Sequence, residues 1–420
     1  MIKVGIIGVG TVGASVINIL KENADVISAR AGVDIVAKSG VVKNLNKDRS
    51  SLGIKITDNV DDILNDSEID IVVELMGGVE EAFEVVKRAL KSGKAVVTAN
   101  KALLAYHRYE LQEIAKDIAF EYEASVAGGI PIINALRDGL SANHIESIRG
   151  IMNGTCNYML TKMTNDGVAY DEILKEAQKL GYAEADPTFD VGGFDTAHKL
   201  LILASIAYGI DAKPEDILIE GIQNISQEDI SFAKEFGYAI KLLGIAKKDG
   251  NKVELRVHAC LIKKEEMIAK IDGVMNGISV VGDKVGETLY YGAGAGGNAT
   301  ASAVVANIID IARSGKSRPM LGFDKPMEGK LTLKAPADIE SKYYLRINVS
   351  DKIGVLARIT KIFEENSISI ESILQRQSSH DSANLLISTH KAYEYDIQNL
   401  ISSLEKLEFV NFRPVMIRIV

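Results

Sequence analysis

The sequence predicts an α/β protein in three parts: a doubly wound parallel sheet, a mixed α+β region, and a C-terminal βαββαβ module of ferredoxin-like topology. Three observations carry this. An apolar strand, IKVGII at residues 2–7, runs straight into a glycine turn and a helical pattern over 11–23. Strand-like runs at 34–42, 69–74, 95–98 and 118–121 alternate with helical patterns at 60–64, 80–91 and 102–116. Such alternation indicates a parallel sheet covered on both faces. The end of the chain then reads strand 343–349, helix 355–366, strands 369–376 and 383–389, helix 396–407 and strand 412–419.

Between these parts the pattern changes at Pro131. A strand at 145–152 precedes helices at 155–165, 170–180 and 194–208, and a long helix is expected at 229–243. Strands follow at 252–262 and 278–281, and a helix at 299–313 after the cluster GAGAGG. Three of the seven prolines, Pro319, Pro326 and Pro336, fall in 316–342, which reads as a linker. The expected divisions are therefore 1–130 (completed by 299–315), 131–298, the linker 316–342, and 343–420.

Composition narrows the function. A chain of 420 residues is too long for one ordinary core. With 47% apolar and 25% charged residues it reads as globular. A net charge of −9 argues against nucleic acid or an anionic membrane as partner. Cys156 and Cys260 are the only cysteines, too few for a disulfide framework, and fit a reducing cytoplasm. No apolar run reaches the roughly 20 residues of a membrane span, and the N-terminus carries no cleavage-site pattern.

The first motif is Gly8-Val9-Gly10-Thr11-Val12-Gly13, a complete G-x-G-x-x-G after a strand and at the opening of a helix. In that context it reads as a dinucleotide site, with the helix N-terminus facing the phosphates. An acid on the ribose is expected near the end of the second strand, but Asp34 stands at its start. The strand's end carries Lys43, with Lys47 and Arg49 close behind, which favours a 2′-phosphate and hence NADP over NAD. Thr98-Ala99-Asn100-Lys101 follows another strand, where ligands bind in such sheets. Lys101 is thus placed for cofactor or substrate, or is simply a first-turn surface lysine. In EYEASVAGGIP, at 121–131, carbonyls and Glu123 suit a hard cation. A structural turn is the alternative. Asn153-Gly154-Thr155 opens a helix whose N–H groups suit a carboxylate, or which merely needs a cap.

The richest segment is GYAEADPTFDVGGFDTAHKL, 181–200. Glu184, Asp186, Asp190 and Asp195 precede Lys199, which opens a buried-looking helix. Asp195 and Lys199 stand at i and i+4, on one helical face. Acids that hold an ammonium, beside an amine that moves protons, suit a small amino acid. A helix-start ion pair is the plainer reading. His198 faces elsewhere, and Cys156 reads as a packing residue.

Taken in order, GVGTVG, TANK, ASVAGGIP, MNGTCNYML and GYAEADPTFDVGGFDTAHKL resemble the homoserine dehydrogenase family along the whole chain. The first part is then a Rossmann domain, and the last module resembles an ACT domain, with Asp351–Leu356 joining its first strand and helix. The resemblance implies reversible hydride transfer between NAD(P)H and aspartate semialdehyde, giving L-homoserine. It implies Lys199 and Lys101 as acid–base residues, with Glu184, Asp190, Asp195 and Lys199 at the substrate. It places Gly8, Gly10, Thr11, Val12, Gly13, Thr98 and Lys101 at the cofactor, with Gly294 and Gly296 of the second glycine cluster; the reading of the strand's end adds Lys43. It also implies a sodium site at Glu123, Val126, Gly128 and Ile130. The ACT resemblance implies control by threonine and a homo-oligomer. Two rivals remain: a dehydrogenase of another small amino acid, and a nucleotide-binding amino-acid sensor without turnover.

Overall fold

The computed structural model describes all residues except 315–317, 326, 328 and 330, and divides into two compact units. The first comprises Met1–Ile148, His198–Asp216 and Met275–Leu331. Its sheet has six parallel strands in the order Lys55–Thr57, Ile35–Val41, Ile2–Ile7, Ile71–Glu74, Ala95–Thr98, Phe120–Glu121. The order reverses direction beside Ile2–Ile7, which opens a crevice at the strands' carboxyl ends. Ile71–Glu74 is buried throughout, as a central parallel strand requires. Helix Glu80–Lys91 shows why flanking helices form: Ala82, Phe83, Val86 and Leu90 are buried, acids occupy its first turn and bases its last. Helix Gly297–Ser314 shares a core with Thr11–Glu22 through Val16, Ile17, Leu20, Val304 and Ile308. Strands Met275–Gly282 and Gly286–Ala293 form an antiparallel hairpin. The second of these was not predicted, because its residues are only partly buried and show no apolar alternation.

The second unit comprises Arg149–Ala197, Ile217–Val274 and Thr332–Val420. Its sheet runs Tyr238–Asp249, Lys252–Lys263, Val415–Ile419, Glu340–Ser350, Ser382–Thr389, Ile370–Ser379. The last four strands, with helices Val355–Glu365 and Glu394–Leu404, are the predicted βαββαβ module around Tyr343, Leu345, Ile359, Phe363 and Leu400. Val415–Ile419 pairs in parallel with Lys252–Lys263, Cys260 opposite Arg418, so the module's sheet continues that of the middle region. The expected linker 316–342 falls in part on 316, 317, 326, 328 and 330, and the segment 299–315 expected to complete the first domain ends on 315, all outside the described residues. Within the linker, Thr332–Leu333 lies beside Lys252–Val253.

One expected element is corrected. The helix predicted at 229–243 is Gln227–Glu235, and Tyr238–Asp249 is a strand paired along its length with Lys252–Lys263. Gly237, at φ +77°, follows Phe236 and ends the helix in the left-handed conformation that suits glycine. The apolar run after it is buried on both faces, so its periodicity could not distinguish strand from helix.

Helix Gln227–Glu235 is tied to the module through Asp229, which is fully buried. Its carboxylate accepts from Ser226 N–H in a capping box, from Tyr344 O–H at 2.8 Å and from Arg346 Nε–H at 2.8 Å. Replacing it leaves an arginine and a phenol without their acceptor. Asp229→Ala should therefore cost about 3 kcal/mol, read as a lower denaturant midpoint; a loss under about 0.5 kcal/mol, as for a surface substitution, would show the contact is not structural.

Candidate active site

In the first unit, the crevice begins where Ile2–Ile7 ends. Gly8 sits at φ +104°, and a Cβ there would lie 2.4 Å from the carbonyl oxygen of Leu75. Only glycine fits a turn so close to the neighbouring strand. The N–H groups of Gly8 and Val9 both donate to Val41 O at 3.0 Å, which fixes the turn. No side chain caps the helix Thr11–Glu22, so its N-terminus faces the crevice unscreened. A cavity of about 360 Å³ opens beside Gly8 and Gly10, lined also by Val42, Lys43, Asn44 and Arg49. Arg49 donates through Nε to Val9 O at 3.2 Å and through Nη1 to Asn44 O at 3.0 Å. Lys43 meets Glu81 at 3.4 Å, both well exposed, a pair worth little in water. Asp34 lies at the opposite end of its strand, just before Ile35.

The crevice's other wall holds a network that sequence reasoning missed. Glu74, fully buried at the end of its strand, accepts from Thr98 Oγ1–H at 2.6 Å and from Met76 N–H at 2.8 Å. Burial pushes its carboxyl pKa up. Thr98 Oγ1 in turn accepts from Asn100 N–H at 3.0 Å, and Asn100 caps helix Lys101–Ala115 by accepting from Leu103 N–H at 3.1 Å. Lys101 is thus the first residue of a helix whose start is fixed by Glu74 through Thr98. The available signal was an acid closing an otherwise apolar strand, IVVE. Gly294 and Gly296 lie between strand Gly286–Ala293 and helix Gly297–Ser314, which starts two residues before the expected Ala299.

Near Phe120–Glu121, Glu123 is 2% exposed. Its two carboxylate oxygens accept from the N–H groups of Ile133 at 2.7 Å and Asn134 at 2.8 Å. Burial nonetheless pushes its pKa up to about 7. Val126 and Ile130 are buried, and Gly128 takes a positive φ. Among the described residues no three His, Cys, Asp or Glu side chains cluster as metal ligands.

In the second unit, Asn153 organises the acids. Its Oδ1 caps helix Gly154–Asp166 by accepting from Cys156 N–H at 2.8 Å. Its Nδ2 donates to Asp190 Oδ1 at 2.7 Å and to Asp195 Oδ2 at 2.8 Å. Asn153 appeared in sequence only as a possible cap; its donors bring together two of the predicted acids. Cys156 Sγ–H donates to Asp190 O at 3.3 Å, in keeping with a packing role. Glu184 is exposed, in the turn after helix Tyr170–Lys179, with its carbonyl accepting from Gln178. Asp195 (3% exposed) and Lys199 (8%) lie on helix Phe194–Tyr208, whose residues divide between the units after Ala197. His198 packs edge-on to Tyr106 at 5.7 Å between ring centres.

Comparison with known proteins decides the family. The profile for the NAD-binding domain of homoserine dehydrogenase matches residues 8–123, that for homoserine dehydrogenase matches 131–309, and that for the ACT domain matches 343–409. A homoserine dehydrogenase of Helicobacter pylori is 54% identical over 419 residues, spanning 100% of this chain and 99% of that one. This chain belongs to the homoserine dehydrogenase family. A crystal structure of a homoserine dehydrogenase from Thiobacillus denitrificans superposes with a TM-score of 0.92 at 44% identity, covering 100% of this chain and 98% of that one. A hyperthermophilic archaeal homoserine dehydrogenase in complex with NADPH gives a TM-score of 0.63 at 26% identity, over 74% of this chain and 97% of that one. The family makes the chain an NAD(P)-dependent oxidoreductase with a C-terminal ACT domain. No helix among the described residues is long and apolar enough to cross a membrane.

The Gly8 turn gives the most direct test of the cofactor crevice. Gly8→Ala should weaken NADPH binding at least about tenfold, since the new methyl must displace the Leu75 backbone. Fluorescence titration of the reduced coenzyme would show it, and an unchanged Kd would mean the crevice does not hold the pyrophosphate.

Proposed function

We propose that the chain interconverts L-aspartate 4-semialdehyde and L-homoserine in the route to threonine, methionine and isoleucine, with NADP as the preferred coenzyme. The observation that carries the substrate reading is the amide of Asn153 holding Asp190 and Asp195 side by side. The amide brings two carboxylates close together, and a substrate ammonium is the kind of group such a pair can accept. Glu184, exposed in a turn, is assigned as a further ammonium ligand.

The nicotinamide, when bound, supplies hydride to the aldehyde carbon or takes it from the alcohol. The crevice residues fit such a group. Gly8, Gly10, Thr11, Val12 and Gly13 would hold the pyrophosphate, with Thr98, Lys101, Gly294 and Gly296 toward the ring. Lys43 and Arg49 line the cavity beyond the second strand, and Asp34 is at its far end, which supports a 2′-phosphate there. Lys199 carries the proton: as charge grows on the carbonyl oxygen it stabilises that charge and donates, and in the oxidation it accepts. Lys101, at the fixed start of its helix, is assigned the same chemistry in support.

Glu123 with the carbonyls of Val126, Gly128 and Ile130 would hold a sodium ion. The carboxylate is buried, and burial raises its pKa; a bound cation would favour its charged form. The ACT domain supports amino-acid control, with threonine as effector. Strand Ile370–Ser379 ends its sheet and is largely exposed, an edge suited to pairing between copies in a homo-oligomer. We assign the chain to the cytoplasm.

Absorbance of the reduced coenzyme, followed with homoserine and NAD or NADP in parallel, tests the reaction and the preference together. Lys199→Ala should lower kcat by roughly 10²–10⁴ while the NADPH Kd stays within about twofold. Full turnover in that variant would remove Lys199 from proton transfer, and no turnover of homoserine by the parent chain would remove the substrate.

L-Threonine added to the same assay should inhibit. A truncation before Tyr343 is a poor test, because Val415–Ile419 pairs with Lys252–Lys263 and its loss would uncover that strand. The full chain is the proper material, and turnover indifferent to threonine would end the feedback reading.

A further inference from the structure

In the first unit, strand Met275–Gly282 places a polar residue at the head of an apolar face. Asn276, Ile278 and Val280 share that face by alternation, and all three are buried. Asn276 is 1% exposed, and its Oδ1 has no hydrogen-bond partner among the described residues. An unpaired buried acceptor costs stability, so an apolar side chain would suit this core better. A buried polar group that stability does not explain calls for a functional reason.

The reason lies in what the amide touches. Asn276 stands opposite Gly292 near the end of strand Gly286–Ala293, after which the chain turns through 294–296 into helix Gly297–Ser314. A Cβ added at Gly294 would lie 2.1 Å from both Cγ and Nδ2 of Asn276 and 2.4 Å from its Oδ1. A point that close to all three atoms of a planar amide lies over its flat face. Leucine has a similar size, but its tetrahedral Cγ holds methyl groups out of that plane and would lift the turn. The turn is held elsewhere too. Gly129 N–H donates to Ala293 O at 3.1 Å, and a Cβ at Gly128 would lie 2.7 Å from Gly294 O. A Cβ at Gly297 would lie 2.9 Å from Ser15 Oγ and 3.1 Å from Thr11 Cγ2, so the turn leaves directly against the first helix of the glycine motif.

We propose that Asn276 is a positioning residue for hydride transfer: its flat amide sets the height of the turn 294–296 on which the nicotinamide ring rests. This role rests on the assignment of Gly294 and Gly296 to the ring end of the coenzyme. Asn276 acts through Gly294 and not on the reacting atoms. Hydride passes between carbons held about 3–3.5 Å apart, and a displacement of about 1 Å costs on the order of 10²-fold in rate. The adenosine and pyrophosphate end is held by other residues, so its affinity does not depend on Asn276.

Asn276→Ala in the full chain tests this. Oxidation of homoserine by NADP should slow about tenfold or more, with a primary isotope effect, for homoserine deuterated at C4, at least as large as the parent's. The Kd of 2′-phospho-ADP-ribose, which is NADP without its nicotinamide, should stay within about twofold of the parent's. Asn276→Thr, which keeps a strand-forming side chain but no flat group, should show the same split and serves where the alanine variant does not fold. Asn276→Asp keeps the flat shape, and at about pH 6, where burial holds its carboxyl neutral, its turnover should lie within about fivefold of the parent's at that pH. Turnover of Asn276→Ala or Asn276→Thr within about twofold of the parent's overturns the role. A fragment Kd that rises in step with the lost turnover overturns it as well, because it marks a part in building the crevice. So does a smaller isotope effect, or an Asn276→Asp chain no faster than Asn276→Ala. A parent chain that does not oxidise homoserine removes the proposed reaction and this role with it; an active parent with indifferent variants removes this role alone.

Discussion

Everything proposed for the substrate depends on one amide. Two carboxylates at hydrogen-bonding distance from one atom repel each other, and some donor must hold them there. Asn153 does so with the two hydrogens of a single Nδ2, while its Oδ1 is spent on the backbone of its own helix. A carboxylate at that position would add a third negative charge, and an apolar residue would leave the acids without a common donor. The amide in turn is only as well placed as helix Gly154–Asp166. That helix is fixed further along by Asn157, which donates to Ile271 O at 3.1 Å and accepts from the buried Lys241 at 3.2 Å. Lys241 also meets Asp272 at 2.8 Å. The acids are therefore positioned by a chain of hydrogen bonds from a middle strand, through a helix cap, to the site.

The cofactor crevice uses the same economy with different groups. Glu74 is buried, and burial disfavours its charge, yet it accepts two hydrogen bonds that orient Thr98 and the turn after its own strand. Its role is to position: through Thr98 it settles where helix Lys101–Ala115 begins. A lysine in the first turn of a helix is placed by the cap, so the position of Lys101 depends on Glu74, Thr98 and Asn100 together.

The parts of this arrangement that could be read from sequence are those with short-range signatures. G-x-G-x-x-G between a strand and a helix left little freedom, and helix 80–91 carried its period and its terminal charges openly. The module's six elements were likewise visible as alternating patterns. What was hidden was long-range. The run after Gly237 is apolar throughout, and only pairing with Lys252–Lys263 makes it a strand. Asn153 looked like an ordinary cap because its acids are 37 and 42 residues away. Glu74 and Thr98 are separated by 24 residues and meet only because their strands are neighbours in the sheet.

The largest difference lies in the ACT domain's attachment. Its sequence reads as a separate appendage, but Val415–Ile419 extends the sheet of the middle region, with Arg418 fully buried at the seam between Glu220 and Glu394. A buried arginine with two acids is a weak source of net stability, since its desolvation offsets most of the attraction. It is a strong source of register, because a slip of one residue would turn Arg418 to the opposite face and strand both acids. Register fixes where Val415 and Met416 stand, and these residues line a cavity against 220–225. The same ion cluster that locks the domain's strand thus sets the shape of a pocket beside segment 220–225, which is bonded to helix Thr188–Val191. A domain built into the sheet, unlike one held by a linker alone, shares its seam with segment 220–225, whose Ile222 N–H donates to Val191 O, next to Asp190.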